Sequence, residues 1–262
     1  LARGAKNFRL GTRAAHWLSH RMTGAFLNAL GILLGALFGL APRAPLAART
    51  QDFFRRALGA AAIFFGLQLV WFNVNGAFLA RLKQVFIALL ALVLGNLLGK
   101  ILALQTISNR LGRFAGSLVA SAKTNPARQS ADGLIACTIL FCAAPLGLLG
   151  AVTDGLSNYF YLLALKAVMD GLAMASFVKM FGWLSALSAL PVFIFLGAVT
   201  LAVQTYAKPF LDSHNLVCPV NAAAGFVALA VALVILEVRK VALANYLPAV
   251  AVAPLLAWLV NH

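Results

Sequence analysis

Apolar residues gather into eight long stretches, near residues 24–41, 57–74, 84–103, 132–150, 160–178, 183–206, 217–236 and 242–260, each bounded by Pro, Gly or charged residues. Crossing a hydrocarbon layer roughly 30 Å thick takes about 20 apolar residues in a helix, so each stretch is a candidate membrane span. Runs such as Ile87 to Gly95 and Val227 to Leu236 are continuously apolar, which a strand wet on one face cannot be. The pattern predicts an all-α fold, a polytopic transmembrane helical bundle of eight helices, or seven if the fifth stretch does not cross. Lys166 and Asp170 interrupt that fifth stretch, which either spans or re-enters. The 28 residues from Leu104 to Ala131 are rich in Ser, Asn and Arg and read as a long loop.

Composition strengthens this picture: 63% of the 262 residues are apolar and 10% are charged, a balance outside the range of water-soluble domains. Lys and Arg number 21 against six acids, for a net charge of +15. In a soluble chain that excess would point to nucleic acid. Here the cations lie between apolar runs, where they set topology, so the expected partner is the lipid bilayer, with no nucleic acid. With Lys100 counted in the third connection, the odd connections carry 4, 5, 1 and 2 Lys or Arg and the even ones 2, 0 and 1. The positive-inside rule then puts odd connections in the cytoplasm and both termini outside.

Residues 1–21 disagree with that arrangement, because Arg3, Lys6, Arg9, Arg13 and Arg21 would all lie outside. Two readings stay open. Either 1–21 is a basic N-terminal extension that is not native, preceding a single transmembrane domain, 22–262, that starts at Met22, or it is a basic amphipathic arm touching lipid through Phe8, Leu10 and Trp17.

The six acids are few enough to weigh singly. Asp132, Asp154 and Asp170 each precede Gly and an apolar continuation. For the first two, the ordinary reading is a helix cap or turn. Asp170 lies eleven positions into an apolar run, where a carboxylate costs roughly 2.5 to 3.5 kcal/mol and needs a partner or water. Lys166, four residues earlier, shares its helix face and can neutralise it. Such a pair is either a charged site on a solute path or a packed ion pair that fixes helix rotation.

The remaining candidates follow from small and polar residues in apolar surroundings. Gly31, Gly35 and Gly39, and Gly95 with Gly99, repeat at intervals of four and read as helix-packing stripes. Asn28, Asn73, Asn96, Asn221 and Asn245 are amides within or at the ends of apolar helices, serving as interhelical glue or as path lining. Pro145, Pro191, Pro248 and Pro254 interrupt helical runs, so the fourth, sixth and eighth helices are expected to kink, and the stretch around Pro145 is the best candidate for a broken helix. The substrate-path candidates are Asn28, Asn96, Pro145, Asp154, Lys166, Asp170 and Asn245. Cys137, Cys142 and Cys218 lack metal-ligand spacing, and no nucleophile pattern, P-loop or His pair is present. Neither an enzyme, a cofactor nor a metal is expected.

A weak internal match pairs Ala60 to Leu67 with Ala222 to Leu229, and Leu94, Asn96 and Leu98 with Leu243, Asn245 and Leu247. The paired helices are five crossings apart and would run in opposite directions, as in inverted repeats.

Taken together, Thr23 to Ala29 with its following glycines, Leu140-Phe141-Cys142 running to Gly150-Ala151-Val152-Thr153-Asp154-Gly155, Leu165 to Gly171, Ser188 to Pro191, Ala223 to Gly225 and Val241 to Ala249 resemble the YqgA/YdfK family, the domain of unknown function 554. The resemblance covers about residues 22 to 260. It departs at Lys100, where the family usually has Glu, and at Leu196, where Gln is frequent. The resemblance implies a multi-pass protein of the bacterial inner membrane without an established activity, with recurrent polar positions matching Asn28, Asp154, Lys166, Asp170 and Asn245. The resulting expectation is a carrier or channel for a small solute or ion, the alternative being a non-transporting scaffold or regulator of envelope behaviour; a homo-oligomer is left open.

Overall fold

A computed structural model describes residues 22–41, 47–124 and 128–261; the basic stretch 1–21 lies outside them. Every described element is helical. In chain order they are α1 (Thr23–Leu40), α2 (Ala48–Asn73), α3 (Phe78–Ile101), α4 (Leu104–Thr124), α5 (Gln129–Cys142), α6 (Pro145–Ser157), α7 (Tyr161–Phe181), α8 (Ala189–Ala202), α9 (Lys208–Ser213), α10 (Val217–Ile235) and α11 (Ala249–Asn261). Short 3₁₀ turns, Trp183–Ser188 and Leu243–Tyr246, lead into α8 and α11. A π-helical turn, Val203–Ala207, joins α8 to α9.

Seven of these units are long and apolar enough to cross a membrane, and α5 with α6 qualifies as a pair bent by 56°. Alone, α5 and α6, at 14 and 13 residues, would reach only about 20 Å each at 1.5 Å per residue. Whether they cross together follows from α1 and α7. Gly31 abuts the Ala167 carbonyl, Gly35 the Gly171 carbonyl and Gly39 the Ala175 carbonyl, and the constant offset of 136 residues between partners means that the two helices run parallel. Parallel helices need an odd number of crossings between them. With α2 and α3 as two, the bent pair is the third. Counted in this way the bent pair is the eighth candidate span, and the fifth stretch is one unbroken helix, α7.

The other main contacts agree. Gly66 meets Gly225 and Gly59 meets Leu236, so α2 and α10 pack antiparallel; Gly95 meets Ala249 and Gly99 meets Asn245, so α3 and α11 do the same. These are the two helix pairs that the internal sequence match singles out. The interface is built from small residues because lipid gives no hydrophobic drive between spans, and close backbone approach supplies dispersion contacts instead.

Three expectations are corrected. Residues 104–124 form a helix, not a loop: Ile107, Leu111 and Phe114 recur on one face, Ala115 and Ala122 are buried, and Arg110 and Arg113 are exposed. That is an amphipathic period which a search for continuous apolar runs passes over. Next, α2 and α3 begin at Ala48 and Phe78, well before the apolar stretches; Arg49, Arg55, Arg56, Arg81 and Lys83 are helical, since long cationic side chains reach water from a helix end. Finally, Pro191 does not fall in mid-helix but close to the start of one, just after the 3₁₀ turn Trp183–Ser188. It is the third residue of α8, where its missing N–H has no intrahelical partner to lose.

Candidate functional site

Near mid-depth in the bundle, α7 presents Lys166 and Asp170 one turn apart, 1% and 7% exposed. Their ammonium and carboxylate form an ion pair. From α1, the Asn28 amide, fully buried, donates through Nδ2 to Asp170 Oδ2 at 2.9 Å. The Lys166 ammonium lies 5.7 Å from the centre of the Phe141 ring on α5, within range of a cation–π attraction. Gly147, in the first turn of α6, leaves room for the lysine stem: a Cβ there would stand 2.8 Å from Lys166 Cε.

The same lysine thus faces the place where α5 stops and α6 starts. Pro145 opens α6 and has no N–H for the Phe141 carbonyl four residues back. Backbone left open in this way is tolerated at membrane depth only when protein or water satisfies it. Sequence-predicted Asn28, Pro145, Lys166 and Asp170 therefore converge on one locus built from α1, α7 and the α5–α6 break.

Asp154 has a different job. It lies inside α6, not at its start, and its Oδ2 accepts from the Gly24 N–H at 3.0 Å. Gly24 is the second residue of α1, so Asp154 caps the N-terminus of α1 from 130 residues away, where a negative charge also suits the helix dipole. A Cβ on Gly24 would run into the Leu163 side chain and would sit 2.9 Å from the carboxylate oxygen, so Leu163 and Asp154 together leave room for glycine there. Its neighbour Thr153 reaches the Gly150 and Tyr159 carbonyls. In the turn after α6, burial, with Tyr161 alongside, raises the Tyr159 phenol above its usual pKa. It stays protonated and lies within hydrogen-bond reach of the Phe65 carbonyl and Gln68 Oε1.

Asn245 and Asn96 lie elsewhere. Asn245 Oδ1 accepts from the Gln105 N–H at 3.0 Å, while Gln105 Oε1 accepts from the Ala244 N–H at 3.2 Å; the two side chains clip the start of α4 to the turn before α11. Asn96 is half-buried on α3, which packs on α10 and α11. A second amide cluster forms where α2, α6 and α10 meet, with Asn221 Nδ2 donating to Asn73 Oδ1 at 3.0 Å and to Ser157 Oγ at 2.6 Å. Sequence reasoning passed over Ser157, Thr200 and Gln204. Among the described residues, Asn28 Oδ1, Thr200 Oγ1, Gln204 Oε1 and Asn221 Oδ1 are buried without a hydrogen-bond partner. Gln204 sits in the π-helical turn, a distortion that often accompanies function.

The family model described as "Protein of unknown function (DUF554)" matches residues 23–258. The chain belongs to this family. It is 26% identical over 242 residues to "Uncharacterized membrane protein YdfK" of Bacillus subtilis (strain 168), an alignment covering 92% of this chain and 97% of that relative. To "Uncharacterized protein YqgA" of Escherichia coli (strain K12) it is 28% identical over 231 residues, covering 88% of this chain and 94% of the relative. No solved structure matches the chain. Family membership thus supports a multi-pass membrane protein, and any assignment of activity has to come from the site.

Proposed function

We propose that this DUF554 protein is a carrier or channel for a small solute or ion, held here with its central site closed. The observation that carries this reading is the buried Asn28–Lys166–Asp170 group set against the interrupted backbone between α5 and α6. Broken helices beside intramembrane charges are where transporters place substrate and coupling-ion sites. The unpartnered Asn28 Oδ1 and Gln204 Oε1 add acceptors that a cation or a hydroxyl-bearing solute can use. No chemical step on a substrate is proposed. The charge bias of the connections supports residence in the bacterial inner membrane, with the Arg-rich first and third connections cytoplasmic and both termini outside.

Reconstituted vesicles test the reading, with trapped dyes reporting H⁺, Na⁺ and K⁺ flux. Wild-type protein is expected to pass or couple at least one of these. The double variant Asp170→Asn with Lys166→Met, which removes both charges and keeps the fold, is expected to lose that flux. A stable double variant with unchanged flux would overturn the assignment of the site.

A second reading, a non-transporting scaffold or regulator of envelope behaviour, is favoured by one feature. Lys166 and Asp170 neutralise each other in a buried core. Its expected result is wild-type vesicles as tight as empty ones under every gradient tried.

A further inference from the structure

Two cavities outside the central site share a wall. One, about 610 Å³, runs along the outer side of the α1–α7 seam between residues such as Leu30, Leu34 and Val168. The other, about 620 Å³, opens where α1 and α7 end and α2 begins. Both are lined by Phe38, Phe54, Leu172 and Ala175, so they adjoin along that wall and together make up a groove. Its character changes along its length. The α1–α7 part is apolar, and the far part adds Gln51, Arg55, Ser176 and Lys179.

Its dimensions and charge point to one kind of occupant. Lined on α1 from Leu27 to Phe38, the apolar part is about 16 Å long at 1.5 Å per residue, close to one leaflet of a roughly 30 Å hydrocarbon core. The polar mouth lies at the helix ends, at headgroup level. Arg55 on α2 and Lys179 on α7 line it, Asp52 and Glu237 reach Arg55, and Arg49, Arg56, Arg239 and Lys240 are further cations close in sequence to these residues. Arg55 is bonded to both of those acids, but both pairs are exposed. Exposed ion pairs are worth little in water and hold the guanidinium at the mouth, where a phosphate can take over its donors in bidentate fashion.

We infer that this groove is a binding site for an anionic phospholipid, one acyl chain lying along α1 and α7 and the phosphate resting between Arg55 and Lys179. The inference rests on the groove and its charges and is independent of whether the central site conducts.

Native mass spectrometry of the full chain, purified in detergent and supplied equally with phosphatidylglycerol or phosphatidylcholine, provides the test. Phosphatidylglycerol should be retained at least fivefold more than phosphatidylcholine. Arg55→Gln with Lys179→Gln should bring it down to the phosphatidylcholine level, whereas Arg56→Gln, which removes one charge from outside the groove lining, should retain it. Val168→Trp, which fills the apolar part and leaves every charge in place, should also lose it, with an unchanged Tm showing that the fold survives. Equal retention of the two lipids would overturn the proposal, as would a loss in Arg56→Gln as large as in the double variant, or full retention in Val168→Trp. Should the double variant fail to fold, the lipid comparison on wild-type protein and the Val168→Trp result still decide.

Discussion

Lys166 and Asp170 are each tolerated only because the other is present. Removing two charges from water is expensive, and their mutual attraction repays it only when geometry and further hydrogen bonds are good. Asn28 supplies one such bond. Asp170→Asn strands the ammonium in a core where Lys166 is 1% exposed, and is expected to cost about 3 kcal/mol. Adding Lys166→Met should recover most of that loss, since the pair is then replaced by groups without charge. Melting of the single and double variants in detergent measures both effects; an additive double variant would show that the two side chains are not coupled. The pair itself was legible in the sequence from its i, i+4 spacing. Its third member was legible only as one amide among several, because nothing local ties Asn28 to a residue 142 positions away. The Asp154 cap was illegible for the same reason, being a bond from a side chain to a distant backbone N–H.

Helices in this molecule are positioned by where glycine is and where it is not needed. On α1, a Cβ at position 35 would overlap the Gly171 carbonyl, so Gly35→Ala must push α1 off α7 and is expected to destabilise by about 1 to 3 kcal/mol. On α4, a Cβ at Gly112 meets nothing within 4 Å. Gly112→Ala should therefore stabilise, by about 0.5 to 1 kcal/mol, through helix propensity alone. Opposite shifts in Tm from the same substitution would confirm the contrast, and a loss in both would place α4 in a tighter environment than the one described. The spacing of Gly31, Gly35 and Gly39 showed a packing stripe in the sequence, but not its partner, since α7 contributes a carbonyl edge and a single glycine. Most of the spans were equally legible, because mean apolarity over 20 residues is a strong signal. Helix α4 was not, because its signal is periodic, and the starts of α2 and α3 were obscured by cations that a helix end carries without penalty.

Across the whole molecule, the parallel run of α1 and α7 fixes the parity of crossings and so binds the local fold to the topology. Eight crossings would put the two ends of the bundle on the same side. Reporter fusions placed after Asn125 and at His262 are expected to report opposite faces, the first cytoplasmic and the second external, as the charge bias of the connections requires. Both on one face would mean that the bent pair turns back, against the register of α1 on α7. Both inverted would mean that the cations of residues 1–21, and not those of the connections, govern insertion.

The carboxylate of Asp154 on the first turn of α1 also sets a timetable. During synthesis α1 emerges well ahead of the group that caps it, which is 130 residues behind, about ten seconds at ribosomal speeds of 5–20 residues per second. Its main partner, α7, arrives later still. Through that interval Asn28 sits in a lone helix with nothing to receive its amide hydrogen, and the first span waits in the bilayer as an unfinished half of a joint. The seam is closed by later-made helices reaching back onto α1, and a chain cut short anywhere before α7 leaves α1 without the partner that its glycines are shaped to meet.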